Sequence, residues 1–260
     1  MRLIKIKQKN IINLNRYINN HLKKLGVKSG DHILLYSKIS SFGIADDNFP
    51  EILLNKILHY IGPKGTLVMP CYDFKKKNYI FNIKKLSNSY NNGILVKLFF
   101  KYKNILRSFK PIHSHIGIGF KSKTLINNLN TNSFGKYSDF YFLTKNNFRC
   151  VYLGCTPSEA ATYFMHLEYL HNVPYKKKII IKKKIYKNNL IKNINIKYFE
   201  RTKNVNYDLD TAFLKLKRLG AKIIKVKLKF GSSLSINLKD FLKYGNIMFK
   251  KNKLCLLKNE

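Results

Sequence analysis

The stretch DHILLYSKISSFGIADDNFPEILLNKILHYIGPKGTLVMP, Asp31–Pro70, decides the fold. Its first segment, HILLYS, is a short apolar run typical of a buried strand, and a helix can begin at Pro50. The turn GPKG then leads into a second apolar run, TLVMP. Strand, helix and strand in this order form a βαβ unit, whose two strands are parallel. We therefore predict a layered α/β/α fold with a mostly parallel central sheet, and one domain over residues 1–260.

The sequence on both sides continues this alternation. Helical spacing of apolar residues predicts helices at about 8–25, 92–102, 121–129, 158–171 and 208–219. Apolar runs predict strands at CVYLG (150–154), AKIIKVKL (221–228) and NKLCLL (252–257). Between residues 176 and 197, two extended segments around KNN predict a hairpin whose lysines face solvent.

The charge balance raises a question of function by itself. The 260 residues contain 50 Lys and Arg against 13 Asp and Glu, a formal net charge of +37. Such a field attracts nucleic acid, anionic lipid and phosphate-bearing ligands. The excess is mostly Lys, is spread over the whole length and accompanies many Asn and Ile residues, which is typical of an AT-biased genome. No helix-turn-helix, zinc finger or RNA-binding signature is present. We expect no specific nucleic-acid partner, and keep a non-catalytic nucleic-acid or anionic-surface binding protein as the alternative.

Other sequence features indicate the compartment. The amino terminus lacks the apolar core of a signal peptide, and no window reaches the roughly 18 apolar residues of a membrane span. The four cysteines form no Cys-x-x-Cys pair, so neither a disulfide framework nor a zinc site is indicated. We expect a cytoplasmic protein with reduced thiols and no membrane span.

The first candidate site is the loop YSKISSFG, Tyr36–Gly43, between the first strand and the first helix of the βαβ unit. Loops in this position expose backbone N–H groups and hydroxyls, which can hold a phosphate or a pantetheine chain. The possible contacts are Ser37, Lys38, Ser40, Ser41 and Gly43. Many such loops only cap a helix, and this one is neither a Walker loop nor a three-glycine dinucleotide motif.

The second candidate is RSFKPIHSHIGIGF, residues 107–120. Side chains alternate along a strand, so His113 and His115 share one face and Ser114 lies on the other. The two histidines could ligate a metal only with a third ligand, which the neighbouring sequence does not offer. We expect no metal.

The third candidate is TYFMHLEY, residues 162–169. His166 and Glu168 are two apart on a helix and diverge by about 200°, so they cannot pair with each other. Imidazole suits a general base at neutral pH, although a histidine among aromatic residues is often a core residue. An orienting acid could also come from Asp208 or Asp210.

Five segments in this order resemble the aminoglycoside 3-N-acetyltransferase family. They are GDHILLYSKISSFGI, IGPKGTLVMPCYDF, RSFKPIHSHIGIGF, NSFGKYSDFYFL and CVYLGCTPSEAATYFMHLEYLHNVPYK. The resemblance covers about residues 10–176, and the last third only through DLDTAFLKL and KFGSSLSI.

The resemblance implies an α/β fold and direct transfer of an acetyl group from acetyl-CoA to an amine of an aminoglycoside or of another amino compound. It implies that Ser37–Gly43, His113 and Ser114 lie at the coenzyme, that His166 is the base and that Glu168 supports the site. A cationic acceptor needs carboxylates, and we assign Asp73, Asp208 and Asp210 to this role. The other candidates are Asp46, Asp47, Asp139, Glu159 and Glu168. Because acids are few, a less cationic amino sugar is the other acceptor class.

The chain departs from the family pattern at three places. Tyr36 precedes Ser37 where the family usually has His-Ser, and Asp139 follows Ser138 where it has Ser-Pro. Counted from Thr162, the family histidine position holds Met165, one residue before His166. A shift of one residue turns a helical side chain by about 100°.

Overall fold

The computed structural model of the protein describes residues 11–74, 80–86, 92–126, 130–160, 162–187 and 189–258. The helices are α1 (Ile11–Lys24), α2 (Phe49–Ile61), α3 (Ile94–Phe99), α4 (Lys123–Ile126), α5 (Asp139–Lys145), α6 (Thr162–His171), α7 (Leu209–Arg218) and α8 (Leu238–Lys251). The strands are β1 (His32–Ser37), β2 (Thr66–Tyr72), β3 (Ile80–Asn82), β4 (Leu106–Arg107), β5 (His113–Gly119), β6 (Arg149–Leu153), β7 (Lys176–Lys187), β8 (Leu190–Arg201), β9 (Ile224–Leu228) and β10 (Gly231–Asn237).

Within the described residues, the central sheet has seven strands in the order β4-β5-β2-β1-β6-β10-β9. The predicted βαβ unit is confirmed, since β1 and β2 are parallel and α2 connects them. The sheet as a whole is mixed rather than mostly parallel. Only β1 with β2 and β1 with β6 are parallel among its described pairs, and the other four pairs are antiparallel. The antiparallel strands lie at both edges, around a parallel centre formed by β2, β1 and β6.

Alternation along β1 divides the core into two layers. Ile33 and Leu35 face a cluster that includes residues of α1, α2 and α3. Leu34 and Tyr36 face the opposite cluster, which includes residues of α5, α6, α7 and α8. All four side chains are at most 5% exposed, so the strand is buried on both faces, as the centre of an α/β sheet must be. The predicted α/β/α layering therefore describes this arrangement.

A second sheet, β3-β7-β8, carries the predicted hairpin. Strands β7 and β8 pair antiparallel from Lys176 with Arg201 to Lys187 with Leu190. Lys177, Lys178, Lys182 and Lys184 are exposed, as expected for lysines on an open face. Lys183 is half-buried, and Lys176 is 8% exposed and lies in the interior.

Several predicted elements differ from the observed ones. Residues 252–257 form turns with one isolated bridge between Tyr207 and Leu257, so the predicted strand there is wrong. Strand β10 and helix α8 were not predicted. The predicted helices at 8–25 and 121–129 correspond to α1 and α4, and residues 8–10 and 127–129 lie outside the described residues.

Helices α6 and α8 cross at a close contact. A Cβ atom placed on Gly245 would lie 2.5 Å from Cδ1 of Leu167, which is itself fully buried. Only a hydrogen atom therefore fits between these helix surfaces at that point, and the contact fixes α6 against the C-terminal helix.

Candidate functional site

A cavity of about 160 Å³ opens at the carboxyl ends of the parallel strands. Its wall is formed by Leu35, Tyr36, Ser37, Lys38, Met69, Pro70, Gly93, Val96, Cys155, Glu159 and Ala160. In α/β sheets, ligands bind in crevices at this end of the strands, where loops expose polar groups. Of the residues predicted to hold a coenzyme, Ser37 and Lys38 lie in this wall.

Lys38 and Glu159 meet across the cavity wall. The Lys38 ammonium donates to Oε1 of Glu159 at 2.6 Å, and the other carboxylate oxygen accepts from the backbone N–H of Thr156 at 2.9 Å. The hydrogen bond and charge of Glu159 raise the pKa of Lys38. Both side chains are largely exposed, at 54% and 40%, so an incoming anion or ammonium group can reach either partner. Cys155 lies beside them as a thiol, since burial raises its pKa to about 12.

The remaining residues of the serine loop do not line this cavity. Ser41 is buried and donates to the backbone oxygen of Gly154 at 2.6 Å. Gly43 has φ +67° and is buried beneath Lys229 and Phe230. Ser40 is exposed, and its carbonyl accepts from the Gly43 N–H at 3.1 Å. These residues hold the loop in a 3-10 turn, Ile39–Phe42, against the end of β6.

His113 and Ser114 lie in β5, on opposite faces as predicted. Ser114 is fully buried, accepts from Nε of Arg107 at 2.9 Å and also donates to the carbonyl of Cys71. Its hydroxyl is thus occupied within the protein. His113 is 3% exposed, and burial and then the charge of His115 lower its pKa to about 3, so it stays neutral. Neither residue is in the wall of the cavity.

His166 faces the core between α5 and α6. It is 3% exposed, and burial lowers its pKa to about 3. Its Nδ1 accepts the backbone N–H of Gly135 at 3.2 Å. A neutral imidazole that accepts at Nδ1 carries its hydrogen on Nε2, so neither nitrogen has a lone pair to spare for a substrate proton. This geometry does not support His166 as the base, and half-buried Met165 occupies the neighbouring position on the helix.

Glu168 is also buried, at 0% exposure. Its Oε1 accepts from the hydroxyls of Tyr175 and Tyr207, both at 2.9 Å, and its Oε2 contacts the ammonium of Lys176. Both oxygens of this carboxylate are therefore engaged. The group fixes α6 to the start of β7, which is a structural role that its predicted place in the site did not anticipate.

The three predicted acceptor-binding acids lie outside the cavity wall. Asp208 caps α7 by accepting the N–H of Thr211 at 3.1 Å. Asp210 accepts from the N–H of Ser158 at 3.2 Å and lines a different cavity of about 250 Å³. Asp73 is fully buried at the end of β2.

A histidine–carboxylate pair lies on the inner face of β5. His115 Nδ1 is 2.8 Å from Oδ2 of Asp139, and the two side chains are 0% and 2% exposed. Ser108 also donates to Oδ2 and accepts the backbone N–H of His115 at 2.9 Å. The ring of Tyr72 stands perpendicular to the imidazole, with centroids 5.7 Å apart. Sequence reasoning placed His115 on a shared face with His113 but did not identify Asp139, 24 residues away, as its partner.

Another cavity, of about 580 Å³, lies at the opposite end of β2, around Ile61, Gly62 and Gly119. It contains neither the serine loop nor the histidines of β5 and α6. Within the described ranges, no three His, Cys, Asp or Glu side chains are placed to hold a metal ion. No helix in the described part of the chain has the length and apolar character needed to cross a membrane.

Comparison with known proteins identifies a family match over most of the chain. The model of the family described as aminoglycoside 3-N-acetyltransferase matches residues 34–250. A curated relative, aminoglycoside N(3)-acetyltransferase IX of Micromonospora chalcea, is 24% identical over 120 residues, covering 39% of this chain and 42% of the relative. The matched region thus spans less than half the length of that relative.

Solved structures share the fold over nearly the whole chain. Aminoglycoside acetyltransferase AAC(3)-Xa superposes with a TM-score of 0.79 at 15% identity, covering 97% of this chain and 100% of that chain. AAC(3)-IVa in complex with a gentamicin gives 0.78 at 18% identity, covering 94% and 91%. AAC-IIIb with CoASH gives 0.77 at 16% identity, covering 95% and 98%.

Proposed function

Because the chain belongs to the aminoglycoside 3-N-acetyltransferase family, we propose that it transfers the acetyl group of acetyl-CoA to an amine of a small amino compound. The observation that carries this proposal is the family match over residues 34–250, which contains every residue of the cavity wall. A relative with the same fold was solved with CoASH, and another with an aminoglycoside.

The cavity wall supplies groups suited to a coenzyme. The exposed ammonium of Lys38 offers a positive charge to a phosphate or to a pantetheine carbonyl, and Ser37 offers a hydroxyl. The apolar remainder of the wall, including Leu35, Met69 and Val96, suits the methylene part of a pantetheine chain. The net charge of +37 favours any ligand that carries several phosphates.

The transfer itself requires a neutral amine. The acceptor ammonium must lose a proton before its nitrogen attacks the thioester carbonyl, and a positioned base contributes about 10² to 10⁴ in rate. Holding both substrates in one cavity supplies the orientation. His166 is not the base in this proposal, because its Nδ1 is engaged by Gly135 and its side chain is buried.

We place the acceptor in the less cationic class. Among the described residues, Glu159 is the one carboxylate in the cavity wall, and it is paired with Lys38. A polycationic aminoglycoside would have to displace that lysine and would meet no second acid among these wall residues. An amino sugar with a single ammonium group, including one attached to a nucleotide or glycan precursor, needs only one carboxylate.

The test is thiol release from acetyl-CoA by the purified protein, with a panel of aminoglycosides and amino-sugar nucleotides as acceptors. We expect turnover with at least one amine, and the highest kcat/KM with a singly charged amino sugar. A matched Lys38→Ala variant should raise the KM for acetyl-CoA, whereas a Lys64→Ala variant, far from the cavity, should not. Absence of both turnover and coenzyme binding would refute the proposal.

The second candidate, a non-catalytic protein that binds nucleic acid or an anionic surface, is favoured by one observation. The open face of the β7–β8 hairpin presents Lys182, Lys184 and Lys197 beside exposed Ile180 and Ile191. Such a face binds polyanions through charge, so its affinity for DNA would fall steeply with salt. Salt-dependent DNA binding without any coenzyme affinity would favour this candidate over the transferase.

A further inference from the structure

A cavity of about 250 Å³, which we call the Asp210 cavity, lies between α7 and the edge of the central sheet formed by β9 and β10. The residues that α7 contributes to its wall are Asp210, Phe213, Leu214 and Lys217. Their spacing of three and four residues puts them on one face of the helix. Phe213 is 3% exposed and Leu214 is 55% exposed, so apolar surface extends from the base of the cavity toward solvent. No step of the proposed transfer uses this space.

The other walls of the Asp210 cavity add polar groups. Lys225 lies on β9 and Ser232 on β10. The three charged residues of the wall, Asp210, Lys217 and Lys225, are exposed, and none of them forms an ion pair among the described residues. Two ammonium groups without an ion-pair partner therefore line one small cavity.

This combination of groups favours an anionic ligand. Lysine is a common ligand of phosphate, and hydrogen bonds from an ammonium group to phosphate oxygens are about twice as strong as neutral ones. Asp210 is the one carboxylate among the described residues of the wall, and its Oδ1 already accepts the N–H of Ser158 at 3.2 Å. Two lysines against one carboxylate leave the cavity positive, which disfavours a polycation.

One short loop, residues 155–160, separates the Asp210 cavity from the cavity of about 160 Å³, which we call the Glu159 cavity. Glu159 and Ala160 line the Glu159 cavity, whereas Thr156 and Pro157 line the Asp210 cavity. The loop is compact, because the N–H of Glu159 donates to the carbonyl of Thr156 at 3.1 Å and that of Ala160 to the carbonyl of Pro157 at 3.3 Å. The two cavities therefore share a wall.

Each cavity has one carboxylate that holds this loop. Glu159 Oε2 accepts the N–H of Thr156 at 2.9 Å, and Asp210 Oδ1 accepts that of Ser158 at 3.2 Å. Two residues of chain span at most about 7 Å, so these two carboxylate oxygens lie within about 13 Å of each other.

A single small ligand can reach from one cavity into the other. Ser158 and Glu159 are exposed, so a ligand that crosses the loop displaces no buried residue there. Neither cavity alone reaches the roughly 300 Å³ of a typical small-molecule site, whereas the two together do.

We propose that the Asp210 cavity is the anion subsite of the acceptor, and that the acceptor is an amino sugar that carries a phosphate. The phosphate binds Lys217 and Lys225, and the ammonium group of the same molecule binds Glu159 on the other side of the loop. This inference rests on the proposed transferase function and narrows its acceptor class. A polycationic aminoglycoside brings no anion to the two lysines, and an unsubstituted amino sugar leaves their subsite empty.

The first arm of the test measures binding without activity. The probes are glucosamine 1-phosphate and glucosamine 6-phosphate, compared by calorimetry with glucosamine, at about 0.15 M salt to screen long-range attraction. We expect the better phosphate to bind the full chain at least about tenfold more tightly than glucosamine. The double variant Lys217→Ala, Lys225→Ala should remove that advantage.

The control is matched in charge. Arg218 ends α7 and Lys222 precedes β9, and both are exposed and lie outside the wall of the cavity. The double variant Arg218→Ala, Lys222→Ala therefore removes the same two charges from the same region. It should bind the phosphates as the wild-type protein does. An equal loss of affinity in both double variants would attribute the binding to the general positive charge and overturn the subsite.

The second arm compares the same variants in acetyl transfer. Replacing Lys217 and Lys225 should raise the KM for the phosphorylated acceptor by about tenfold or more, with the KM for acetyl-CoA unchanged. The preference for the phosphorylated acceptor over glucosamine, as a ratio of kcat/KM, should then fall to about one. A higher KM for acetyl-CoA alone would assign the two lysines to the coenzyme and overturn the proposal. Thermal unfolding establishes that each variant is folded.

The outcomes separate the anion subsite from the proposed function. A wild-type protein that releases thiol, but acetylates neither glucosamine phosphate better than glucosamine, would overturn the subsite and leave the transferase standing. A wild-type protein that neither binds acetyl-CoA nor releases thiol with any amine would refute the transferase, and the acceptor subsite with it. A preference for the phosphate that is lost only in the cavity variant would establish the subsite.

Discussion

Glu168 and Lys176 form an ion pair in the interior, with side chains 1% and 4% exposed. The pair joins α6 to the first residue of β7, and the rings of Phe199 and Tyr207 lie 5.6 and 5.8 Å from the ammonium. Breaking such a pair leaves an uncompensated buried charge. We therefore expect Glu168 to contribute to the stability of the fold.

Lys176→Met should therefore destabilise the fold by about 3 to 5 kcal/mol. Glu168→Gln should also destabilise the fold by several kcal/mol, because the amide oxygen still accepts from Tyr175 and Tyr207 but the buried Lys176 ammonium loses its counter-charge. Urea unfolding measures the loss in each variant. If Glu168 instead acted in catalysis, Glu168→Gln would lower kcat while the free energy of unfolding stayed unchanged.

Three buried histidines should make stability depend on pH. Burial lowers the pKa of His21 to about 4 and those of His113 and His166 to about 3. In the unfolded chain a histidine takes up a proton near pH 6.5, so below that pH the unfolded state binds protons that the folded state does not. The stability that these histidines contribute above about pH 6.5 is then lost as the pH falls toward about 3.

In this pH range, each histidine changes the free energy of unfolding by at most about 1.4 kcal/mol per pH unit. Urea unfolding at a series of pH values from about 7 to about 4 measures the total. The His166→Asn variant lacks one of these histidines. Its free energy of unfolding should therefore change with pH less steeply near pH 5, by about 1.4 kcal/mol per pH unit. An unchanged slope in that variant would mean that His166 is protonated in the folded state, against its burial.

Gly154 should tolerate no side chain. Its φ is +76°, and an added Cβ would lie 2.5 Å from the carbonyl oxygen of Lys38. Gly154→Ala should destabilise the protein by about 2 kcal/mol or more, through left-handed backbone strain and this backbone clash, and should also raise the KM for acetyl-CoA by moving Lys38.

Gly43→Ala is the matched control. It has a similar φ of +67°, but its added Cβ would meet the side chains of Lys229 and Phe230, which can move. Thermal unfolding should show the smaller loss for Gly43→Ala. Equal losses would indicate that backbone conformation alone, and not the contact with Lys38, sets the cost at Gly154.

Lys38 and Glu159 should affect binding more than folding. Their bridge is exposed, and such bridges contribute little to stability. We expect Lys38→Ala and Glu159→Gln to unfold at the wild-type temperature. Glu159→Gln should raise the KM for the amine acceptor by roughly tenfold, as loss of a charge-assisted hydrogen bond does, and leave the KM for acetyl-CoA unchanged. A higher KM for acetyl-CoA alone would assign Glu159 to the coenzyme instead.

The local signals in the sequence predicted the centre of the fold. Alternation and turn residues within Asp31–Pro70 identified β1, α2 and β2, because a βαβ unit is encoded within about 40 consecutive residues. The mixed character of the sheet was not predictable in the same way. Whether β5 and β10 enter the sheet antiparallel depends on long-range pairing, with β2 and β6 respectively, which no local pattern records.

The candidate site was likewise predictable only where its features are encoded locally in the sequence. Strand alternation correctly put His113 and His115 on one face, where both rings contact Tyr72. Ser37 and Lys38, from the loop after β1, line the cavity, and their contact with a coenzyme stays a prediction. The partner of His115 could not be predicted, because Asp139 reaches it through tertiary packing of α5. The sequence spacing showed that His166 stands one residue beyond the expected histidine position on α6. It could not show which way the side chain of His166 faces.

The crossing of α6 and α8 links two distant positions of the chain. Since Leu167 leaves room for no more than a hydrogen atom at position 245, a larger residue at position 245 requires a smaller side chain at position 167. Homologues that carry alanine or a larger residue at the position of Gly245 should carry a smaller one at that of Leu167. The two columns should therefore covary in a family alignment, although 78 residues separate them.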